Sequence, residues 1–274
     1  MLTNVILYSL IFHFVWLQSA CAASDKTNTT RPPTTITKGA MITKPGCQSK
    51  CGNLTVPYPF GIGLGSGCSI DPAFDINCNT SYNPPKAFIS LGNLEVIDIS
   101  DSQMRVKNWL AATCYDQQGK IESRRTSQIV LVPYFSFSDV NKLFTVGCDD
   151  FSNISGVNFY TGCIASCTTK DIILEGYCNG IGCCQIPIPK GLRRFRNSVD
   201  SFSNHSSVWP FNPCGYSFLG DLNSFTFHSS DLTDPTFIVR TIDNVPIILD
   251  WVIGSQTCAS LLKSNVSACH QNSS

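Results

Sequence analysis

The sequence predicts an all-β protein, β-rich and disulfide-stapled, built as two small sandwich-like modules with one or two short helices. Three observations carry that expectation. Short β-branched or aromatic runs recur between frequent Gly, Pro and Asn breakers, the spacing expected of small sandwiches. The chain holds 15 cysteines in 274 residues, a usage that suits a stapled extracellular fold. Stretches with an apolar period of 3.6 residues are scarce.

The chain opens on an almost wholly apolar run from Val5 to Leu17, followed by the small residues Ala20, Cys21, Ala22 and Ala23. A membrane-spanning helix needs about 20 apolar residues. The shorter run therefore reads as a signal peptide over 1–23, cleaved after Ala22 or Ala23, although no Lys or Arg precedes it. Cleavage removes Cys21 and leaves Cys47, Cys51, Cys68, Cys78, Cys114, Cys148, Cys163, Cys167, Cys178, Cys183, Cys184, Cys214, Cys258 and Cys269. An even count after export predicts a closed disulfide framework. The closest pairs, Cys47-x3-Cys51 and Cys163-x3-Cys167, lack the paired knuckles and spaced histidines of zinc sites, so no metal is expected. Cys183 and Cys184 are neighbours that disulfide geometry keeps from bonding each other, so they must staple two other segments.

Residues 24–45 are rich in Thr and Pro and poor in large apolar groups. Such a segment cannot offset its ordering entropy and reads as a flexible tether. From Val56 to Gly61, apolar side chains alternate with prolines, the mark of an extended edge segment that turns at the glycines. The glycine-rich stretch 61–67 lacks the preceding strand and following helix of a phosphate loop and is read as a turn. Residues 94–99, 127–132, 135–137, 225–227 and 237–240 read as strands. A further strand over 245–251 is interrupted by Pro246, which suggests an edge position. Residues 139–143 suit a single helical turn, and Ser255 to Lys263 a short helix capped by Ser255. No apolar stretch long enough for a membrane span follows the leader. Six cysteines stand up to Cys148 and eight after it. If each set closes on itself, the chain divides into modules over 46–150 and 151–274.

Lys plus Arg and Asp plus Glu both number 19. With no net field to steer a polyanion globally, nucleic acid is not an expected partner. Sequons at Asn28, Asn53, Asn79, Asn153, Asn204 and Asn265 predict a glycosylated surface, with Asn272 too near the end to count.

Several segments share one further pattern. Cys47-x3-Cys51-Gly52-Asn53-Leu54-Thr55-Val56-Pro57-Tyr58-Pro59-Phe60-Gly61 opens it. It continues through Gly67-Cys68, Phe74-Asp75-Ile76-Asn77-Cys78, Ala112-Thr113-Cys114-Tyr115 and Val146-Gly147-Cys148-Asp149. Later come Gly162-Cys163-x3-Cys167, Cys178-Asn179-Gly180-Ile181-Gly182-Cys183-Cys184-Gln185, Asn212-Pro213-Cys214-Gly215-Tyr216 and Leu249-Asp250-Trp251. Over 45–271 this resembles the ectodomain of plant wall-associated receptor kinases, a galacturonan-binding domain followed by a cysteine-rich segment. The resemblance implies a secreted or cell-wall location and contact with pectin, an anionic polysaccharide. It implies a plasma-membrane location only for a longer form with an anchor. The family's EGF-like, membrane and kinase parts have no counterpart in the given sequence, so a soluble relative or a truncated ectodomain is expected.

Carboxylates call for guanidinium or ammonium groups. The densest basic run is Lys190, Arg193, Arg194 and Arg196, with Arg124 and Arg125 a smaller candidate pair. Among possible sugar-stacking rings, Trp251 is expected in the core, and Trp209 stands out ahead of Trp109 as an exposed platform. Asp149 with Asp150, and Asp71 with Asp75, could meet calcium but lack EF-hand spacing. His205 lies within the Asn204 sequon and is expected at the surface, and no nucleophile motif accompanies it or His228. The reading is thus a non-catalytic polysaccharide-binding ectodomain without cofactor. Its alternative is a cysteine-rich scaffold that binds a cell-surface peptide or protein.

Overall fold

A computed structural model of the chain describes residues 42–89 and 93–254. The leader, most of the tether, the helix expected from Ser255, Cys258, Cys269 and the sequons at Asn28, Asn265 and Asn272 lie outside them. The described residues belong to one compact unit. It is β-rich, with a single α-helix, Phe237–Asn244.

Three sheets make the body, beside a small hairpin of Lys50–Cys51 and Leu54–Thr55. The seven-stranded sheet orders Phe135–Phe137, Ile247–Trp251, Gln103–Val106, Leu94–Ile99, Lys86–Ile89, Asp75–Asn79 and Gly61–Ile62. The five-stranded sheet orders Cys183–Pro187, Asn141–Val146, Cys214–Asp221, Ala111–Tyr115 and Ile121–Arg125. The four-stranded sheet orders Ser127–Val130, Arg194–Ser201, Asp149–Ser155 and Tyr160–Ser166. All pairings are antiparallel except that of Gly61–Ile62 with Asp75–Asn79.

The five-stranded sheet is covered on both faces. Leu143 and Leu219 point into one core with Phe60, Phe74, Phe135, Phe137 and Phe195. Phe144 and Phe218, their chain neighbours, point into a second core with Tyr216, Phe225, Phe227 and Phe237. That is why Leu143-Phe144-Thr145-Val146 runs apolar without a clean alternation. Trp251 packs edge-on against Phe60, ring centroids 5.3 Å apart, and its indole N–H donates to the Ser100 carbonyl, as its expected core role requires.

Several sequence expectations are corrected here. Residues 237–240 form a helix, not a strand. Phe237 and Thr241 are its buried positions, one helical turn apart, and Arg240 reaches back to Asp231 and Asp234. Residues 225–227 join two 3-10 turns and form no strand, although both phenylalanines are buried. Ile247–Trp251 is an interior strand between two partners, because Pro246 precedes its first ladder bond and costs it none. The expected turn at 139–143 is confined to Asp139 and Val140, and a strand starts at Asn141.

The twelve described cysteines pair as Cys47–Cys68, Cys51–Cys78, Cys114–Cys214, Cys148–Cys167, Cys163–Cys184 and Cys178–Cys183. Cys183 and Cys184 do staple two different segments. The six cysteines up to Cys148 do not close on themselves, since Cys114 and Cys148 both bond later partners. Each of the three sheets also mixes strands from before and after residue 150.

Candidate polyanion-binding clefts

The basic run enters the four-stranded sheet near its outer edge. Lys190 and Gly191 make a turn, and Arg194 opens the strand Arg194–Ser201. Strand alternation buries Phe195 and Asn197 and turns Arg194 and Arg196 outward, about 6.6 Å apart along the strand. The edge strand pairs in a register that sets Val130 beside Arg194 and Gln128 beside Arg196.

Two clefts meet at this corner. The larger, about 570 Å³, is lined by Val130, Val157, Phe159, Lys190, Arg193 and Arg194, among others. The smaller, about 310 Å³, lies between Gln128, Ser155, Val157, Arg194 and Arg196. Arg194 and Val157 wall both. Among the described residues none of these four cations makes an ion pair, whereas Lys86, Lys107, Arg105, Arg124 and Arg240 all do. Four free donors over an apolar floor are what a carboxylate-bearing sugar would need. The floor residues were not legible in the sequence, because only the pairing of two distant strands brings them beside the run.

The other predicted residues fall elsewhere. Arg124 is tied to Asp200 at 2.6 Å. Arg125 lies over the Trp109 ring, 5.1 Å from its centroid. Trp109 is 47% exposed. Trp209 is half-buried and donates its indole N–H to the Tyr115 carbonyl at 2.8 Å, so it is a packing residue rather than the exposed platform expected.

A third cleft, about 370 Å³, is bordered by Asn53, Tyr82, Lys86, Glu95, Lys107 and Asp243. Its cations are already neutralised. Lys86 and Lys107 both reach Glu95, and Lys107 also bonds Asp243 at 2.8 Å.

The calcium candidates are likewise committed. Asp71 caps a 3-10 turn through the Ala73 N–H. Asp75 accepts from Ser69 and from the Gly65 N–H, filling the glycine-rich loop with a carboxylate of the chain itself. Asp149 accepts from the hydroxyls of Ser201 and Ser203 and from the backbone N–H groups of Ser203 and His205. Burial pushes its carboxyl up, but those bonds outweigh it and hold the group below the usual range.

His205 is not at the surface. It is 0% exposed, stacked on Tyr115 at 4.6 Å, with Nε2 3.0 Å from Asp150 Oδ1 and Nδ1 at the Asn212 carbonyl. Asp150 is wedged between Gly147 and Gly215, where any Cβ would come within 1.8 Å of its carboxylate. Burial raises the Asp150 carboxyl against the bond from His205. Burial opposes the imidazolium, but the neighbouring carboxylate holds His205 above its ordinary value. Neither residue lines any of the three clefts, and both are fully buried.

Among the described sequons, Asn53 and Asn204 are exposed and Asn79 and Asn153 half-buried. No helix among the described residues is long and apolar enough to cross a membrane.

Residues 47–108 match the family described as wall-associated receptor kinase galacturonan-binding. The chain is 40% identical over 220 residues to Wall-associated receptor kinase 2 of Arabidopsis thaliana, covering 77% of this chain and 28% of that protein. It is 36% identical over 234 residues to Wall-associated receptor kinase 5, with 83% and 30% covered, and 33% identical over 246 residues to Wall-associated receptor kinase 1, with 88% and 32% covered, both from the same plant. The chain thus spans under a third of the length of these relatives. No solved structure matches it. This chain carries the galacturonan-binding segment of the wall-associated receptor kinases and is homologous to the N-terminal region of those proteins.

Proposed function

We propose that the chain is a non-catalytic, extracellular pectin-binding module of the plant cell wall, which grips galacturonan carboxylates through Lys190, Arg193, Arg194 and Arg196. The observation that carries this reading is the set of four unpaired cations around two adjoining clefts, on a chain with no net charge. The segment 47–108 then supplies frame rather than contact, because the lysines of its own cleft are held by Glu95 and Asp243. An anion would have to displace those carboxylates to bind there.

Binding of a de-esterified oligogalacturonide to the secreted chain, measured by calorimetry at low and high salt, tests this. Binding at low salt should weaken as salt rises, since the cations are solvent-exposed and screened. A charged hydrogen bond contributes about 1.5–3 kcal/mol, so R193Q/R194Q/R196Q should lower affinity by at least about a hundredfold. The thermal midpoint should stay unchanged. K86Q/K107Q should bind as the parent does. A loss in the lysine variant with none in the arginine variant would move the site into 47–108, and no binding at low salt would end the pectin reading.

A further inference from the structure

The outward face of the four-stranded sheet is half basic and half apolar. Its side chains run across the strands in rows: Arg196, Ser155 and Tyr160, then Ser198, Asn153 and Gly162, then Asp200, Phe151 and Ile164. Small residues leave the middle row low. On either side of it Tyr160 is 72% and Ile164 56% exposed. Phe202, also exposed, leans on Phe151 with ring centroids 4.8 Å apart. Apolar surface collected in this way on an exported protein implies something that covers it.

The cover is encoded at the centre of the patch. Asn153 begins the sequon Asn153-Ile154-Ser155 and projects outward from an interior strand. Its amide makes no hydrogen bond among the described residues. Opposite it, Gly162 lets the two strands approach closely and adds no side chain beside Asn153. A Cβ there would come 2.1 Å from the Ser152 carbonyl and 3.4 Å from Asn153 Oδ1. The three other sequons in the described part, at Asn53, Asn79 and Asn204, lie in turns or at a strand end rather than within this sheet's outward rows.

We propose that Asn153 carries an N-linked glycan whose first sugars lie on Tyr160, Ile164 and Phe151 and cover the apolar half of this face. In the covalent step, Asn153 Nδ2 bonds the anomeric carbon of an oligosaccharide carried on a lipid pyrophosphate. The anomeric C–O bond to the pyrophosphate breaks, and the amide proton leaves with that group. Sugar rings carry apolar C–H faces that pack on an aromatic ring while their hydroxyls stay in water, which is the kind of two-sided contact Tyr favours. The glycan borders Arg196 and lies on the opposite side of it from Arg194 and the larger cleft. It borders the smaller cleft, which Ser155 and Arg196 line, and leaves the larger one open.

The test uses the full chain secreted from a glycosylating eukaryotic host. Glycopeptide mass spectrometry should find Asn153 occupied, and Tyr160 should resist iodination. Removal of the whole glycan by an amidase should abolish that protection and bring on binding of an apolar dye. An endoglycosidase that leaves one sugar should keep most of the protection. S155A should reproduce the stripped state, and S155T, which keeps the sequon, should restore the parent behaviour. An unoccupied Asn153 in protein that is glycosylated at Asn204 overturns the proposal. So does an occupied Asn153 whose removal leaves Tyr160 reactivity unchanged, in which case the patch would be left to a protein partner.

Discussion

Replacing both Cys114 and Cys214 with serine should cost about 4–5 kcal/mol of stability, the largest loss expected among the described disulfides. The bond closes a loop of 100 residues, against 5 to 27 for the other five. Loop-closure entropy grows with the logarithm of that separation, so removing Cys178–Cys183, a loop of 5, should cost only about 2 kcal/mol. The two cysteines also face each other in register across the strands Ala111–Tyr115 and Cys214–Asp221. They tie the middle layer of the molecule together where its halves meet. Chemical denaturation of the two double-serine variants, read by circular dichroism, checks the ordering. Equal midpoints for the long-loop and short-loop variants would defeat the argument.

The second large effect is expected at Asp150. Removing one partner of a buried, hydrogen-bonded charge pair costs about 3–5 kcal/mol, because the other charge stays buried without compensation. Asp150→Ala would leave the His205 imidazolium with the Asn212 carbonyl but no carboxylate at Nε2, stacked on the Tyr115 ring. The same groups set the pH response. The folded state holds the His205 proton above the ordinary value of 6.5, so its contribution is complete below that pH and is lost as pH rises through the higher folded value. Asp150, raised from 3.8, acts in the same sense. Asp149, lowered from 3.8, acts in the opposite one: its contribution is present above that pH and lost as pH falls. Stability should therefore fall at the acid end through Asp149, and at higher pH first through Asp150, whose contribution wanes above 3.8, and then through His205, whose contribution wanes above 6.5. A thermal-melt series from acid to alkaline pH should show both limbs. His205→Gln should remove the fall above pH 6.5 and leave the acid limb. If the fall above pH 6.5 survives in that variant, the assignment to His205 is wrong.

The parts of the fold that were legible in the sequence are those where one local signal suffices. Leu94–Ile99 and Phe135–Phe137 are β-branched or aromatic runs bounded by turn residues, and they form strands. Cys183 and Cys184 had to diverge because neighbouring residues cannot bridge without strain. The basic run could be found by composition alone. Residues 237–240 misled because Phe-Ile-Val carries strand propensity, which the packing of Phe237 and Thr241 on one helix face overrides. Asp231 and Asp234 then hold Arg240 one turn along. Cys214–Asp221 shows no strand pattern because both its faces are buried, so polar Ser217 and apolar Phe218 are equally enclosed. His205 was misplaced for a different reason. Asn204 and His205 both adopt left-handed backbone, with φ of 53° and 57°, and their side chains part to opposite environments.

The sequence by itself determined what depends on residue type and short spacing: the β-rich class, the stapling, the sequons and the run Lys190 to Arg196. Only the tertiary structure decided which of those features meet. It linked the halves through Cys114–Cys214, paired Arg124 and Lys107 with carboxylates, and left the run at 190–196 unpaired over a floor from two other segments. Charge has consequences only through distance, and distances between residues far apart in the chain are set by strand pairing and packing, which no local pattern encodes.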